Sequence, residues 1–214
     1  GCPHRCTFCD RTIFGQKLTF RSADSVIDEL KYLNRTYGTN EFRFHDDRFL
    51  AHPRKAEELL DKMIEQDLGF HWLCAERVDR LDARLLKKMK AAGCYRIESG
   101  VEAGSQRVLD LIKKGIKKQQ AVEGFRKARD AGISVLSNFI LGFPTETRDE
   151  MYETIEFSLE LDPDYAAFFM FQPYPGTVVA KEFGLPWDDD HRRFSRLAHE
   201  SYTLTNDEME SVID

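Results

Sequence analysis

Two kinds of hydrophobic pattern alternate along the chain. Short apolar stretches, several with every second residue apolar, predict strands at residues 41–45, 70–75, 94–97, 133–141 and 165–171. Longer stretches, in which apolar residues recur every three or four positions, predict helices that begin near residues 22, 53, 82, 105, 118 and 147. Strands that alternate with helices are typical of βαβ units, so the pattern predicts a parallel sheet.

Capping residues mark where these helices begin and end. Ser22 can cap the first helix and Gly38 can close it, because serine accepts from free amides and glycine tolerates a left-handed turn. Thr147 and Glu150 form a capping box. The predicted inward faces also include three apolar residues near helix C-termini, which are Tyr37, Ile64 and Leu159.

The fold predicted from this order is an incomplete α/β barrel. Five strands are visible, and a sixth, ahead of Gly1, would complete a partial (β/α)6 TIM-like barrel of parallel strands whose first strand is truncated. We expect a core domain over residues 1–177 and a C-terminal extension over 178–214, both belonging to a longer protein. In such folds the chemistry lies where strands end. Polar residues cluster there, at 46–47, 74–77, 98–102, 138 and 172.

Composition narrows the classes of partner. The chain has 214 residues, is 42% hydrophobic and has a formal net charge of −6, with no stripe of Lys and Arg. We therefore expect a substantial core and no nucleic-acid partner. Because no stretch of about 18 apolar residues occurs, we expect a soluble, cytoplasmic protein with no membrane partner.

Three cysteines at the N-terminus are the strongest chemical signal. Cys2, Cys6 and Cys9 have the spacing Cys-x3-Cys-x2-Cys, and thiolates this close together can bind an iron–sulfur cluster. A structural zinc site would need a fourth ligand, from His4 or from a distant cysteine. A disulfide would leave an odd thiol and would require an oxidising compartment. The spacing favours a cluster with three protein ligands and one open iron.

Together with four further blocks, the cysteine motif resembles the radical S-adenosylmethionine (SAM) superfamily. The blocks follow in the order and spacing of that family and are Gly100-Val101-Glu102-Ala103-Gly104-Ser105, Lys113-Lys114-Gly115, Leu141 to Thr147, and Pro173-Tyr174-Pro175-Gly176-Thr177. The stretch Phe42 to Phe49 is most similar to members that carry a cobalamin-binding domain ahead of the barrel.

The resemblance implies a radical SAM enzyme, with a 4Fe–4S cluster on Cys2, Cys6 and Cys9 whose open iron binds SAM. Reductive cleavage of SAM would give a 5′-deoxyadenosyl radical or support cobalamin-dependent methyl transfer. Further implied partners are a small-molecule or cofactor-like substrate, an electron donor such as flavodoxin or ferredoxin, and cobalamin on a domain ahead of Gly1. The cofactor-binding residues implied by matching positions are Phe8, His45, Asp46, Glu102, Lys114, Asn138 and Ile140. No catalytic residue is assigned.

Alternatives remain at individual positions and for the reaction. Glu102 could instead cap the helix at Ser105, and Lys114 could be solvated. Asp46 could cap or solvate a loop, and Asn138 could be a satisfied buried amide. Arg77 resembles a position that is often basic in this subgroup, or it could pair with Glu102 or Asp79. Cys74 and Cys94 are expected to be small buried hydrophobic residues. The alternative activities are those of a methylthiotransferase or a coproporphyrinogen dehydrogenase relative without cobalamin. A cysteine-ligated structural metal module is the non-enzymatic alternative.

Overall fold

The computed structural model describes residues 1–12 and 15–185 and contains one parallel sheet. Its five strands lie in the order β1-β2-β3-β4-β5, and every neighbouring pair is parallel. The strands are β1 Glu41–Phe44, β2 His71–Ala75, β3 Cys94–Glu102, β4 Ser134–Leu141 and β5 Tyr165–Met170. The predicted α/β class and parallel sheet are confirmed.

A helix follows or precedes each strand, as the pattern of apolar residues predicts. The helices are α1 Ala23–Tyr37, α2 Pro53–Glu65, α3 Ala83–Ala91, α4 Gln106–Leu111, α5 Lys118–Asp130, α6 Arg148–Leu161 and α7 Val178–Glu182, with a 3-10 turn at Val78–Arg80. The sequence analysis did not predict α7, which is only five residues long. The connections between strands are therefore the helical crossovers that a parallel sheet requires.

The predicted caps occur where the sequence places them. The Ser22 side chain accepts from the Ser25 amide, and Gly38 closes α1 with a φ of 69°. The capping box at the start of α6 is complete, because the Thr147 and Glu150 side chains each accept from the other's backbone amide. Local side-chain chemistry thus sets these helix boundaries.

Three of the predicted inward-facing residues are exposed instead. Tyr37 is exposed at the end of α1, where the neighbouring layer no longer covers the helix, and Ile64 is exposed in the last turn of α2. Leu159 is 75% exposed because the buried face of α6 is formed by other residues, including Met151, Thr154 and Phe157. The hydrophobic pattern is correct along the helix centres and wrong for these three residues.

Strand β3 is longer than predicted. The prediction ends at Ile97, whereas the strand continues to Glu102. Residues 98–102 are mostly polar or glycine, but their backbone pairs with β4, with Gly100 opposite Asn138 and a register shift before Glu102. The strand is therefore extended by backbone pairing, which a hydrophobic pattern does not reveal.

The core lies between the sheet and its helices. Its largest fully buried side chains include Trp72, Phe139, Phe143 and Phe171. Cys74 and Cys94 are buried in the same core, as expected. None of the helices in residues 1–12 and 15–185 combines the length and apolar character needed to cross a membrane.

The described start of the predicted extension packs against the N-terminal loop. Thr177 caps α7, Val179 is buried, and its amide donates to the Thr7 carbonyl oxygen at 3.1 Å. The remainder of the extension, residues 186–214, lies outside the described residues. The domain boundary at residue 177 stays a prediction.

Candidate functional site

A cavity of about 930 Å³, which we call the main cavity, lies where the five strands end. Each strand contributes at least one side chain, and the N-terminal cysteine loop contributes Phe8. The lining of this cavity includes Phe8, Arg77, Gly100, Glu102, Lys114, Asn138 and Ile140. Five of the seven predicted cofactor-binding residues therefore meet in one cavity.

A buried ion pair forms one wall of this cavity. Lys114 Nζ donates to Glu102 Oε1 at 2.6 Å, and both side chains are less than 10% exposed. Gly100 leaves room for the pair, because a Cβ there would lie 2.0 Å from Glu102 Oε1. The alternative of a solvated Lys114 is therefore wrong. Ser105, rather than Glu102, caps α4.

Strand β4 contributes an amide and an apolar side chain to the cavity. Asn138 lies beside Gly100 across the sheet, and Ile140 follows two residues later on the same face. The half-buried side-chain amide of Asn138 makes no hydrogen bond to residues 1–12 or 15–185. An amide with free donors and an acceptor beside an apolar surface is suited to a ligand that has both hydroxyl groups and a flat apolar part.

The cysteine loop is attached to the rim of the cavity by backbone hydrogen bonds. The Thr7 amide donates to the Ile112 carbonyl oxygen at 2.9 Å, and the Cys9 amide donates to the Cys6 carbonyl oxygen at 3.3 Å within a turn. Phe8 packs against Phe143, with the ring centroids 5.6 Å apart. The loop is therefore positioned by segments far away in sequence.

The three cysteines differ in exposure but lie close enough to influence one another. Cys6 is buried, Cys2 is half-buried and Cys9 is exposed as a residue. Partial desolvation of the Cys9 thiol raises its pKa, and the nearby thiols of Cys6 and Cys2 raise it further. The three thiols therefore lie on one short loop, within range of one another's electrostatic influence.

No group of three His, Cys, Asp or Glu side chains converges on a single ion position in the described part of the chain. In a cluster with several irons each thiolate binds a different iron, so such convergence is not required. The thiols of Cys2, Cys6 and Cys9 therefore fit a cluster by their donor type and proximity. Asn138, with its free amide, and the Glu102–Lys114 pair fit a polar cofactor next to it.

A network of buried charged groups lies next to the cysteine loop. Glu76 accepts from Arg48 Nε at 2.8 Å and from the Leu50 amide at 2.6 Å, while Arg48 Nη1 lies 3.0 Å from His4 Nε2. Burial, and then the charges of Arg77 and Arg48, lower the pKa of His4 to about 4. His4 is thus a neutral acceptor near pH 7, and its Nε2 is occupied by Arg48.

Sequence reasoning missed Arg48 and gave no role to Glu76, although it noted residues 74–77 as a polar cluster at a strand end. Both are charged residues in the segments that follow a strand, which is the signal by which Asp46 and Asp47 were selected. It also missed the ion pair of Arg43 with Glu98. Both side chains line the cavity, and Arg43 Nη2 lies 2.6 Å from Glu98 Oε2. Arg43 and Glu98 lie on the less buried faces of β1 and β3, whereas a pattern of apolar residues identifies only the buried face of a strand.

Two predicted residues lie elsewhere. His45 and Asp46 line a second cavity of about 500 Å³ between α1 and β1, whereas the next residue, Asp47, lines the main cavity. The chain bends at Asp47, just after β1, so a shift of one position changes the cavity that is reached. The cofactor-binding role of His45 and Asp46 stays a prediction that this geometry does not support.

Comparison with known proteins identifies relatives over most of the chain. Residues 1–158 match the Radical SAM superfamily. An uncharacterized methyltransferase of Pyrococcus horikoshii is 38% identical over 178 residues, which cover 83% of this chain and 39% of that protein. An anaerobic magnesium-protoporphyrin IX monomethyl ester cyclase of Rubrivivax gelatinosus is 30% identical over 86% of this chain and 34% of that protein.

A solved structure has the same fold. The radical S-adenosylmethionine methyltransferase TsrM from Kitasatospora setae, with cobalamin and a [4Fe-4S] cluster bound, superposes with a TM-score of 0.78 at 20% identity. The match covers 85% of this chain and 37% of that protein. The chain thus spans between a third and two fifths of the length of these relatives.

Proposed function

The chain belongs to the radical SAM superfamily, and from this premise we propose that its main cavity binds SAM beside a 4Fe–4S cluster held by Cys2, Cys6 and Cys9. The observation that carries the proposal is the meeting of five predicted cofactor-binding residues in one cavity next to the cysteine loop. When bound, the cluster supplies the electron that cleaves SAM. The residues of this chain bind and orient the nucleotide.

Lys114 is proposed to hold the carboxylate of the methionine part of SAM. An ammonium has three donors, so Lys114 can keep its bond to Glu102 and still donate to a ligand. Burial strengthens this contact, because little water screens the charge. Glu102 fixes where the Lys114 ammonium lies.

Asn138 and Ile140 are proposed to hold the nucleoside. The Asn138 amide can bond both ribose hydroxyls, since it offers one acceptor and two donors. Ile140 and the Phe8 segment border the same cavity and offer apolar contact for adenine. The cavity of about 930 Å³ lies within the size range of small-molecule sites.

For the whole protein we propose a radical SAM enzyme of the cobalamin-associated subgroup that transfers a methyl group to, or forms a ring in, a small-molecule substrate. The names of the two relatives, a methyltransferase and a cyclase, support these two reaction classes. A low-potential electron-transfer protein such as flavodoxin or ferredoxin would supply the electron. Cobalamin would be bound outside residues 1–214.

Anaerobic reconstitution of the full-length protein with iron and sulfide tests the cofactor site. We expect a brown protein that releases 5′-deoxyadenosine or S-adenosylhomocysteine from SAM after addition of dithionite. Cys6→Ala should abolish both the colour and the turnover of SAM, because it removes one cluster ligand. Cys94→Ala, which removes a buried cysteine outside the motif, is the matched control and should keep the colour.

Two outcomes would overturn this proposal. A colourless zinc protein would show that the three cysteines form a structural metal module. A brown protein that does not bind SAM would show that the main cavity has another ligand. The cobalamin content of the purified full-length protein separates the methyltransferase or cyclase proposal, which requires cobalamin, from the alternative activities of a methylthiotransferase or a coproporphyrinogen dehydrogenase relative, which do not.

A further inference from the structure

A buried guanidinium beside the cysteine loop has no role in the function proposed above. Arg77 follows β2, and its side chain is 8% exposed. Its Nη1 lies 3.9 Å from Cys6 Sγ, within the range of a hydrogen bond to sulfur. Arg77 is therefore in contact with one of the three proposed cluster ligands.

The guanidinium is fixed independently of the sulfur. Arg77 Nη2 donates to the Lys114 carbonyl oxygen at 2.8 Å, and Arg77 Nε donates to Asp79 Oδ1 at 2.9 Å. The Arg77 backbone amide donates to Glu76 Oε1 at 2.7 Å. Because these three contacts do not involve Cys6, the positive charge stays in place whether or not the thiolate has a metal bound.

The carboxylate of Asp79 offsets only part of the positive charge of Arg77. Asp79 is shared between Arg77 and Arg80, whose Nε lies 3.3 Å from Asp79 Oδ2. Arg77 and Asp79 are both nearly inaccessible to water, so screening by solvent is weak at this point. Cys6 therefore lies beside a guanidinium that shares its carboxylate partner with a second arginine.

We propose that Arg77 is a positioning residue that raises the reduction potential of the cluster through its charge and its hydrogen bond at Cys6. This inference rests on the proposed function, because it requires a cluster on the three cysteines. Hydrogen bonds to the sulfur ligands, net charge and solvent exposure set the potential of iron–sulfur clusters. A cation at a ligand sulfur favours the one-electron-reduced state, which carries more negative charge.

The redox change involves one electron and no change of bonds in the protein. Dithionite is the reductant in the test, and each cluster accepts one electron from it. The expected effect is therefore a shift of the equilibrium between oxidised and reduced cluster.

The test uses the reconstituted full-length protein without SAM and two variants of Arg77. Arg77→Gln removes the charge, whereas Arg77→Lys keeps it and loses the fork that bonds Cys6, Asp79 and the Lys114 carbonyl. Arg48→Gln is the matched control, because Arg48 is equally buried and charged but has no hydrogen bond to a cysteine among the described residues. The measurement is a redox titration in which electron paramagnetic resonance reports the reduced cluster.

At a fixed potential, Arg77→Gln should lower the ratio of reduced to oxidised cluster about tenfold, which corresponds to about 59 mV for a one-electron couple. Arg77→Lys should give a smaller shift in the same direction. Arg48→Gln should change the ratio less than threefold. If Arg77→Gln loads too little iron to titrate, the shift of Arg77→Lys decides the question.

The failures of the two proposals look different. Wild-type protein that assembles no cluster overturns the proposed function. Wild-type protein that assembles a cluster whose potential is unchanged in both Arg77 variants overturns only this inference. An unchanged potential with weaker SAM binding would make Arg77 a cofactor ligand, and an equal shift in Arg48→Gln would show an effect of any nearby arginine. Both results contradict a specific role at Cys6.

Discussion

The two sides of the main cavity are held in place in different ways. On the side of β3 and β4, Glu102 at the end of β3 and Lys114 in the loop between α4 and α5 form a buried ion pair over Gly100. The cysteine loop, by contrast, is not part of the sheet. It is attached through Thr7 and through contacts of its side chains with Arg77 and Arg48.

The β3–β4 side, or strand side, is completed by the fold itself. The cysteine loop, or cysteine side, would be completed by a bound metal group. Lys114 and Glu102 pair with each other within the protein, so the β3–β4 side is formed before any ligand binds. Two of the three cysteines are not buried, so packing within the protein restrains their thiols only weakly. Binding of a metal group is therefore expected to order the cysteine side much more than the strand side.

The largest expected effect tests the completeness of the strand side. Lys114→Met should destabilise the metal-free protein by about 3–5 kcal/mol, because it leaves the Glu102 carboxylate buried without its partner. The double variant Glu102→Gln/Lys114→Met should recover much of this loss, since neither charge remains. Denaturant unfolding of the metal-free protein measures the free energies. A single variant as stable as the wild type would show that water reaches the pair and that this side is not preformed.

A smaller effect tests the loop that joins the two sides. Glu146 is fully buried, and its Oε2 accepts from the amides of Gly142 and Phe143, whose ring packs against Phe8. Burial raises the pKa of Glu146 to about 7. The folded state therefore binds this proton more tightly than the unfolded state, whose pKa is near 4.5.

The contribution of Glu146 to stability is thus full below about pH 4.5 and is lost as the pH rises through 7. This loss amounts to about 3 kcal/mol at most. Glu146→Gln should remove this pH dependence, and Glu156→Gln, an exposed position on α6, should not. Glu150 does not interfere, because Arg107 lowers its pKa to about 2 and its contribution is lost only below pH 4.5. Equal pH dependence in wild type and Glu146→Gln would place the proton elsewhere.

The sequence predicts the strand side better than the cysteine side, for physical reasons. Helix caps such as Ser22 and Thr147 act within four residues, so their geometry is encoded locally. Asn138 and Ile140 lie two positions apart on one strand, and their shared face follows from the period of a strand. Such features need no knowledge of distant segments.

Contacts between segments distant in sequence could not be predicted in the same way. The salt bridge of Arg48 with Glu76 and the contact of Arg77 with Cys6 join segments that are 28 and 71 residues apart. The assignment of His45 and Asp46 failed to match the main cavity by one residue, because the turn after β1 changes which side chain points inward. The motif identifies the cysteines, whereas only the fold shows which charges surround them.

Asn138 tests whether the strand side binds the nucleoside. Asn138→Leu should weaken the affinity for SAM by about 1–3 kcal/mol through lost hydrogen bonds, while the iron content stays unchanged. Ser137→Ala is the matched control, because Ser137 is buried on the opposite face of β4 and does not line the cavity. Equilibrium binding of SAM to the reconstituted full-length protein measures the effect. Equal affinity in wild type and Asn138→Leu would mean that the ribose lies elsewhere.

The smallest effect is expected where the cysteine side is least buried. Cys9→Ser should change the stability of the metal-free protein by no more than about 0.5 kcal/mol, because Cys9 is exposed and the change removes no core contact. The same variant should lose most of its cluster, since serine is a poor replacement for a thiolate ligand. Denaturant unfolding without metal and iron content after reconstitution measure the two quantities. A stability loss as large as that of Lys114→Met would show that the cysteine loop is already a packed part of the metal-free fold, and the contrast between the two sides of the cavity would be wrong.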